Sequence, residues 1–208
     1  MTPVRAERQA LCDSMLEAGP DAPTLCEGWT VLDLAAHLVV REERPDAAAG
    51  LVVPPLAGRL DRISAAYASR GLDALVARFR AGPPRWHPTA VPAVDALVNL
   101  AELVVHHEDV RRAAGMGPRT DVPELQEAVW KQLPVASGLA LRGAAHVPVV
   151  AVSTDGRRRV LRRGPYPVVL TGAPVDLLLR LFGRSAAQVD VGGPRLSVQR
   201  FSQARLGV

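Results

Sequence analysis

The chain has 208 residues, a formal net charge of +4, 48% hydrophobic and 22% charged residues. That is too apolar and too weakly charged for a disordered chain, and two cysteines, Cys12 and Cys26, exclude a disulfide scaffold or a four-thiolate zinc module. No apolar run approaches the ~20 residues that span a bilayer, and Arg5, Glu7 and Arg8 leave no leader-like N-terminus, so a soluble cytoplasmic protein is expected.

The charge is unevenly placed. Residues 1–140 carry 14 basic and 18 acidic side chains, net −4, and residues 141–208 carry 11 basic and 3 acidic, net +8. All basic residues but Lys131 are arginine. A GC-rich genome accounts for that bias, but not for the asymmetry, which points to two unlike domains.

In chain order, Thr2-Pro3 opens a helix that Gly19-Pro20 stops, with Leu11, Met15 and Leu16 facing inward. Thr30-Val-Leu-Asp33 is a capping-box start for a helix to about Glu43, ended by Pro45. After an Ala/Gly/Pro stretch around Pro54-Pro55, residues 56–69 and 72–80 are helically periodic, with Gly71 and Gly82-Pro83-Pro84 as breakers. A long helix is predicted from Ala93 to Ala114, and Asp121-Val-Pro-Glu124 opens another that reaches Leu133 or beyond.

From His146 the texture changes. Val147–Ser153 and Arg157–Arg163 read as strands joined by a turn at Thr154-Asp155-Gly156, and Pro167–Thr171 as a third strand. Pro174–Phe182 reads as a short helix, and Gln188–Val191 as a strand closed by Gly192-Gly193. The fold class is therefore α+β: a helical bundle over residues 1–142, then a small basic α/β domain over residues 143–208.

Chemistry concentrates on two helices. On the second helix Leu32, Ala35, Ala36, Val39 and Val40 make an apolar face, and Asp33, His37 and Arg41 form one polar line beside it. On the long helix Val94, Leu97, Val98, Ala101, Val104 and Val105 are the apolar stripe, with Glu102 and His106 one i, i+4 step apart at its flank. Two imidazoles and one carboxylate can hold a divalent ion and leave a coordination position open, with Asp33 placed to orient His37. The competing reading is ordinary hydrogen bonding by helical His and Glu. His107 lies about 100° around the helix from His106, so it reads as a packing or supporting residue, and Glu108-Asp109-Val-Arg111-Arg112 as a solvated last turn.

Thr24-Leu-Cys-Glu-Gly-Trp-Thr-Val-Leu-Asp-Leu-Ala-Ala-His-Leu38, followed by Val-Val-Arg-Glu-Glu-Arg-Pro-Asp46, resembles the N-terminal signature of DinB-like, mycothiol-dependent maleylpyruvate isomerase proteins. Glu102-Leu-Val-Val-His-His-Glu-Asp-Val-Arg-Arg112 resembles their second metal segment. The likeness extends to an actinobacterial metal-binding branch of that superfamily at Pro54-Pro-Leu-Ala-Gly58, Gly82-Pro-Pro-Arg-Trp86 and Ala204-Arg-Leu-Gly-Val208. The resemblance implies a DinB-like bundle with a four-helix core and a sterol-carrier-like C-terminal domain. It places the three metal ligands on His37, Glu102 and His106 and implies mycothiol as a cofactor; zinc is the expected divalent ion, since three protein ligands with one open position are the pattern of a catalytic zinc site.

The other reactive side chains read as structural. Cys26 and Cys12 are expected to pack, Trp29, Trp86 and Trp130 to anchor cores, and His87 and His146 to lie in loops. Thr171-Gly172-Ala-Pro174 reads as a plain strand-to-helix turn. Arg157-Arg158-Arg159 and Arg162-Arg163 lack the interleaved aromatics and motifs of a nucleic-acid surface, and are better explained as a solvated strand, a face complementary to the acidic bundle, or an attractor of anionic substrate. The expected function is a metalloenzyme in which a small thiol attacks an electrophilic substrate, with isomerisation or S-transfer as the outcome and Arg41 as the candidate group for a substrate anion. A hydrolase using metal-activated water and a non-catalytic metal-binding protein are the alternatives.

Overall fold

The structure, a computed structural model, describes residues 1–44, 57–84, 86–144 and 146–207. Pro45, Pro54, Pro55 and Leu56, read above as breaker, loop and helix start, lie outside the described residues. The chain divides into two compact units, Met1–Gly117 and Pro118–Val208. The division falls at 117/118 rather than at the expected 142/143, because the last helix of the expected bundle packs with the strands.

The first unit holds helices α1 (Pro3–Ala18), α2 (Val31–Glu43), α3 (Ala57–Ala68), α4 (Leu72–Ala81) and α5 (Pro92–Ala113), with a 3-10 turn over Pro88–Ala90. Thr2 caps α1 by accepting from the Arg5 amide. A full capping box starts α2: Thr30 accepts from the Asp33 amide, and the Asp33 carboxylate accepts from the Thr30 amide. Helix α1 packs on α5, α4 and α2, and α2 on α3 and α4. Leu11, Met15, Leu34, Leu38, Leu75, Phe79 and Leu103 are among the fully buried side chains.

Helix α2 is buried nearly all round, and Asp33, His37 and Arg41 mark the side left partly open. An apolar stripe with one polar line is what its sequence offers, and the polar line falls where helix packing stops. Two apolar assignments differ from expectation. Leu16 and Val98 are exposed, each at the edge of its stripe on the helical wheel.

Cys12 packs in this core with its Sγ 3.9 Å from the Val76 carbonyl. Burial pushes its thiol up from the ordinary value of 9.0 to about 11, against the lowering by the Arg80 and Arg8 charges. The unfolded thiol therefore loses its proton first as pH rises. Between the two values the unfolded chain binds fewer protons than the folded one, so stability falls. The full shift corresponds to ~3 kcal/mol. Cys12→Ala is expected to flatten this alkaline loss, measured as the urea midpoint at about pH 8 and about pH 10.5.

The second unit begins with α6 (Pro123–Ala140) and a 3-10 turn at Arg142–Ala144, followed by β1 (Val149–Ser153), β2 (Arg158–Arg162), β3 (Val168–Gly172), α7 (Pro174–Leu181), β4 (Val189–Gly192) and α8 (Arg195–Gln203). The sheet order is β2-β1-β3-β4. β1 pairs antiparallel with β2 and parallel with β3, in register Val149↔Val168 to Ser153↔Gly172, and β3 pairs antiparallel with β4. The valine-rich inner strands β1 and β3 are mostly buried, and the arginine-rich β2 takes an edge, as charged edge strands do.

Helix α6 packs on α7 and β2. Its Gln126 side chain accepts from the Val175 amide at the start of α7. Its Trp130, 3% exposed, lies beneath the guanidiniums of Arg157 and Arg159. Arg157 also pairs with Glu127 and Asp155. These arginines are thus engaged within their own unit, by stacking and ion pairs with α6.

Helix α8 was not expected. Its sequence is mostly polar and Phe201 is its one fully buried side chain. The tail then returns over α6, where the Gly207 amide donates to the Ala140 carbonyl. A Cβ at Gly143 would lie 1.9 Å from the Arg205 carbonyl oxygen, so that approach requires glycine.

Candidate metal centre

Helix α2 brings His37, and helix α5 brings Glu102 and His106, to one point. The Nε2 atoms of His37 and His106 lie 3.5 and 3.3 Å from Glu102 Oε1, and the two rings are 5.4 Å apart between centroids. One donor atom from each of the three residues falls within 4.8 Å of the others. Donors bound about 2.0–2.1 Å from a tetrahedral ion stand roughly 3.3–3.4 Å apart, so both carboxylate–imidazole separations fit such an ion. The N, O, N set suits zinc and its first-row neighbours. Among the described residues no fourth His, Cys, Asp or Glu joins the three.

The surrounding charges are coupled. Burial alone would raise the Glu102 carboxyl, but hydrogen bonds from His106 and His37 and the charges of His106 and Arg41 outweigh it and hold the group well below the ordinary carboxylate range. Burial alone would lower His106, but hydrogen bonds to Asp109, Cys26 and Glu102 and the Glu102 charge outweigh it and hold the imidazolium well above the ordinary histidine range. Glu102 and His106 thus stabilise one another's charged forms, and a metal ion held by these residues would have to displace the His106 proton.

Arg41 stands beside the three donors, its Nε 3.5 Å from Glu102 Oε1. Its Nη1 donates to Asn99 Oδ1 at 2.5 Å, and Asn99 Nδ2 donates to Asp95 Oδ1 at 2.7 Å. Asn99 is fully buried. Asp95 in turn faces Arg8 at 3.9 Å, and Arg8 grips Glu42. A polar chain thus runs from the interior of the bundle to Arg41, with Asp95, Asn99 and Glu102 all on α5.

Several expectations are corrected here. The Asp33 carboxylate is spent on capping, accepting from the Thr30 amide at 2.9 Å and the Thr30 hydroxyl at 2.8 Å, rather than on orienting His37. The last turn of α5 is not solvated: Glu108 and Asp109 are fully buried, and Glu108 pairs with Arg111 and Arg112. Cys26 is half-buried at the site instead of packed away; its Sγ donates to Asp109 Oδ2 at 3.1 Å and lies 3.8 Å from His106 Nδ1.

Of the tryptophans only Trp130 is a core anchor. Trp86 is 65% exposed, and Trp29 is half-buried with its ring 5.0 Å from that of His37. His107 is buried away from the site, bonded to Glu7 at 2.8 Å and Ser14 at 2.9 Å on α1, as its 100° offset requires.

Asn99 and Asp109 are thus site neighbours that the sequence did not single out, and Cys26 and Trp29 are ones it read as packing residues. The signal for Asp109 was present. Glu102, His106 and Asp109 are spaced i, i+4, i+7, one stripe of a helix. Asn99 and Trp29 carry no such signal, since their roles depend on which helices meet.

No family model and no curated protein matches the sequence. Among solved structures, the chain is similar to the mycothiol-dependent maleylpyruvate isomerase, at a TM-score of 0.55 and 18% identity over 91% of this chain and 90% of that one. A histidine-to-alanine mutant of that enzyme matches equally, at a TM-score of 0.55 and 18% identity. The α+β arrangement described above is accordingly the fold of the mycothiol-dependent maleylpyruvate isomerase structures, over nearly the whole length of both chains.

Proposed function

We propose that this chain is a divalent-metal enzyme of thiol chemistry, a mycothiol-dependent isomerase or S-transferase, with zinc held by His37, Glu102 and His106. The observation that carries the reading is the three-donor set, with no fourth donor among the described residues, within the fold of an enzyme named for mycothiol-dependent isomerisation. A closed structural zinc site takes four protein ligands; three leave room for an exchangeable one. An ion in such a site makes a bound small thiol nucleophilic at neutral pH.

The chain's own residues supply the rest. Glu102 and His106 fix the two α5 donors one turn apart, and Trp29 shields one side of His37 with an aromatic ring. Arg41, held by Asn99 and facing Glu102, is the proposed catalytic residue, holding an anionic group of the electrophilic substrate. Arginine suits that role because its planar fork keeps donors free when one is engaged. No helix among the described residues is long and apolar enough to cross a membrane, and a cytoplasmic location, where thiol cofactors stay reduced, belongs to the proposal.

The test is turnover of maleylpyruvate by the zinc-loaded protein with and without mycothiol, and after chelation. Isomerisation that needs both metal and thiol supports the reading. Hydrolysis of ester or amide substrates by the metal-loaded protein with no thiol requirement overturns it in favour of the activated-water alternative.

A further inference from the structure

The buried carboxylate of Asp109 is the feature that the three-donor reading leaves unexplained. It is fully buried, in a position where an ionised group without partners costs several kcal/mol. A fold keeps such a group when its acceptor oxygens are in use. Here a single oxygen, Oδ2, faces both His106 Nδ1 and the Cys26 thiol, each at 3.1 Å.

The imidazole of His106 is thereby addressed at both ends. Its Nδ1 is turned to Asp109, three residues further along α5, and its Nε2 to Glu102, four residues earlier, at 3.3 Å. A carboxylate acceptor at Nδ1 keeps a proton there, which leaves the Nε2 lone pair as the only one available to an ion. The loop before α2 is tied to Asp109 at its backbone as well as through the Cys26 thiol. The Leu25 amide donates to the Asp109 carbonyl at 3.1 Å, and the Cys26 amide is fixed by Thr24 Oγ1 at 3.1 Å. The same loop places Trp29 against His37, so one segment braces both histidines.

We propose that Asp109 is a positioning residue of the metal centre, holding His106 as the Nδ1-protonated tautomer with Nε2 toward the ion, and that Cys26 is a donor to Asp109 rather than a ligand. This rests on the His37, Glu102, His106 reading. It differs from the other grouping of donors, Cys26, His106 and Asp109. In that alternative the same three side chains would themselves close on an ion through Nδ1.

The test uses the full chain with Co(II) or Zn(II) alone as probe. Asp109→Asn is expected to fold with the helical signal of the parent, and to bind Co(II) about 10- to 100-fold more weakly, the loss typical of a partner one step removed from the ion. Cys26→Ala is expected to show no comparable loss, and the Co(II) protein no sulfur-to-cobalt absorption band. In the Zn(II)-loaded parent, long-range proton–nitrogen spectra are expected to show the His106 proton on Nδ1.

Asp109→Asn that binds Co(II) as tightly as the parent overturns the proposal. So does a His106 proton on Nε2, or a sulfur–cobalt band lost in Cys26→Ala. The tautomer is read in the parent protein, so the proposal stays falsifiable if Asp109→Asn does not fold. His37→Ala and His106→Ala separate the two levels. If they keep Co(II), the three-ligand reading itself has failed; if they lose it while Asp109→Asn retains it, only the role of Asp109 has.

Discussion

His37→Ala and His106→Ala are each expected to lose stoichiometric metal, with affinity falling by more than about 100-fold, since replacing groups one step further from an ion already costs 10- to 100-fold. Three protein donors leave no redundancy: without one imidazole, two donors remain to compete with water. Glu102→Gln is expected to behave similarly. The amide keeps the shape but removes the charge that offsets a dication and that faces His37, His106 and Arg41 together. His37 is partly open to solvent beside Trp29, so its truncation is expected to cost little folding stability. Metal analysis of the purified variants, beside a thermal melt of each, separates lost binding from lost folding. Undiminished metal in both histidine variants would sink the assignment.

The largest stability effect is expected away from the proposed metal site. Arg8 and Glu42 are buried together between α1 and α2. Arg8 Nη1 donates to Glu42 at 3.0 Å and to the Phe79 carbonyl at 3.1 Å, and its guanidinium lies 4.3 Å from the Phe79 ring centroid. Glu42→Ala takes from that buried guanidinium its bidentate carboxylate partner, leaving it the Phe79 carbonyl and Asp95 at 3.9 Å, and removing one partner of a buried pair costs about 3–5 kcal/mol. That is a large share of the 5–15 kcal/mol typical of a folded protein. At roughly 2–4 °C per kcal/mol for a chain of this size, the melting temperature is expected to fall by about 6–20 °C. Replacing both residues by apolar ones of matching volume (Arg8→Met with Glu42→Leu) is expected to recover most of the loss, because the guanidinium and the carboxylate leave the core together. A double replacement as unstable as Glu42→Ala would show that the pair is not the source of the effect.

The two defects also differ in their reach. Arg8 lies on the polar chain that passes through Asp95 and Asn99 to Arg41. The His37, Glu102 and His106 variants act at the Arg41 end of that chain, and Glu42→Ala acts at its buried end. Metal content in folded Glu42→Ala therefore reports whether Arg41 and Glu102 depend on the interior pair for their placement.

Local signals sufficed for most elements. Thr2, the Thr30–Asp33 box, and Gly19, Gly115 and Gly183 after α1, α5 and α7 are short-range devices, and α1, α2, α5 and α7 fall within a few residues of where those devices put them. The alternation and valine content of β1 and β3 are equally local. Where such signals were thin, the reading failed. Helix α8 has one buried anchor, and Leu16 and Val98 look apolar on a wheel whose neighbours the wheel does not show. The turn at Glu108–Asp109 was misread because charge suggests solvent, and only the surrounding packing shows that these carboxylates have partners.

What the sequence determined by itself was the composition limits, the capped helices, and the i, i+4 spacing that puts Glu102 and His106 on one face and His37 on the polar line of another helix. Those are consequences of covalent order and helical pitch. The +4 charge resolves in the same way into an acidic helical part and a basic strand-bearing part. Tertiary structure alone decided that the two polar lines meet at hydrogen-bond distances, that Asp33 serves its own cap while Asp109 turns to His106, that Cys26 and Trp29 come to the same histidines, and that α6 packs with the strands and takes up their arginines. Those depend on which faces pack together over long separations in the chain. Helical periodicity gives each face its chemistry, but the free energy of burying one face against another selects its partner.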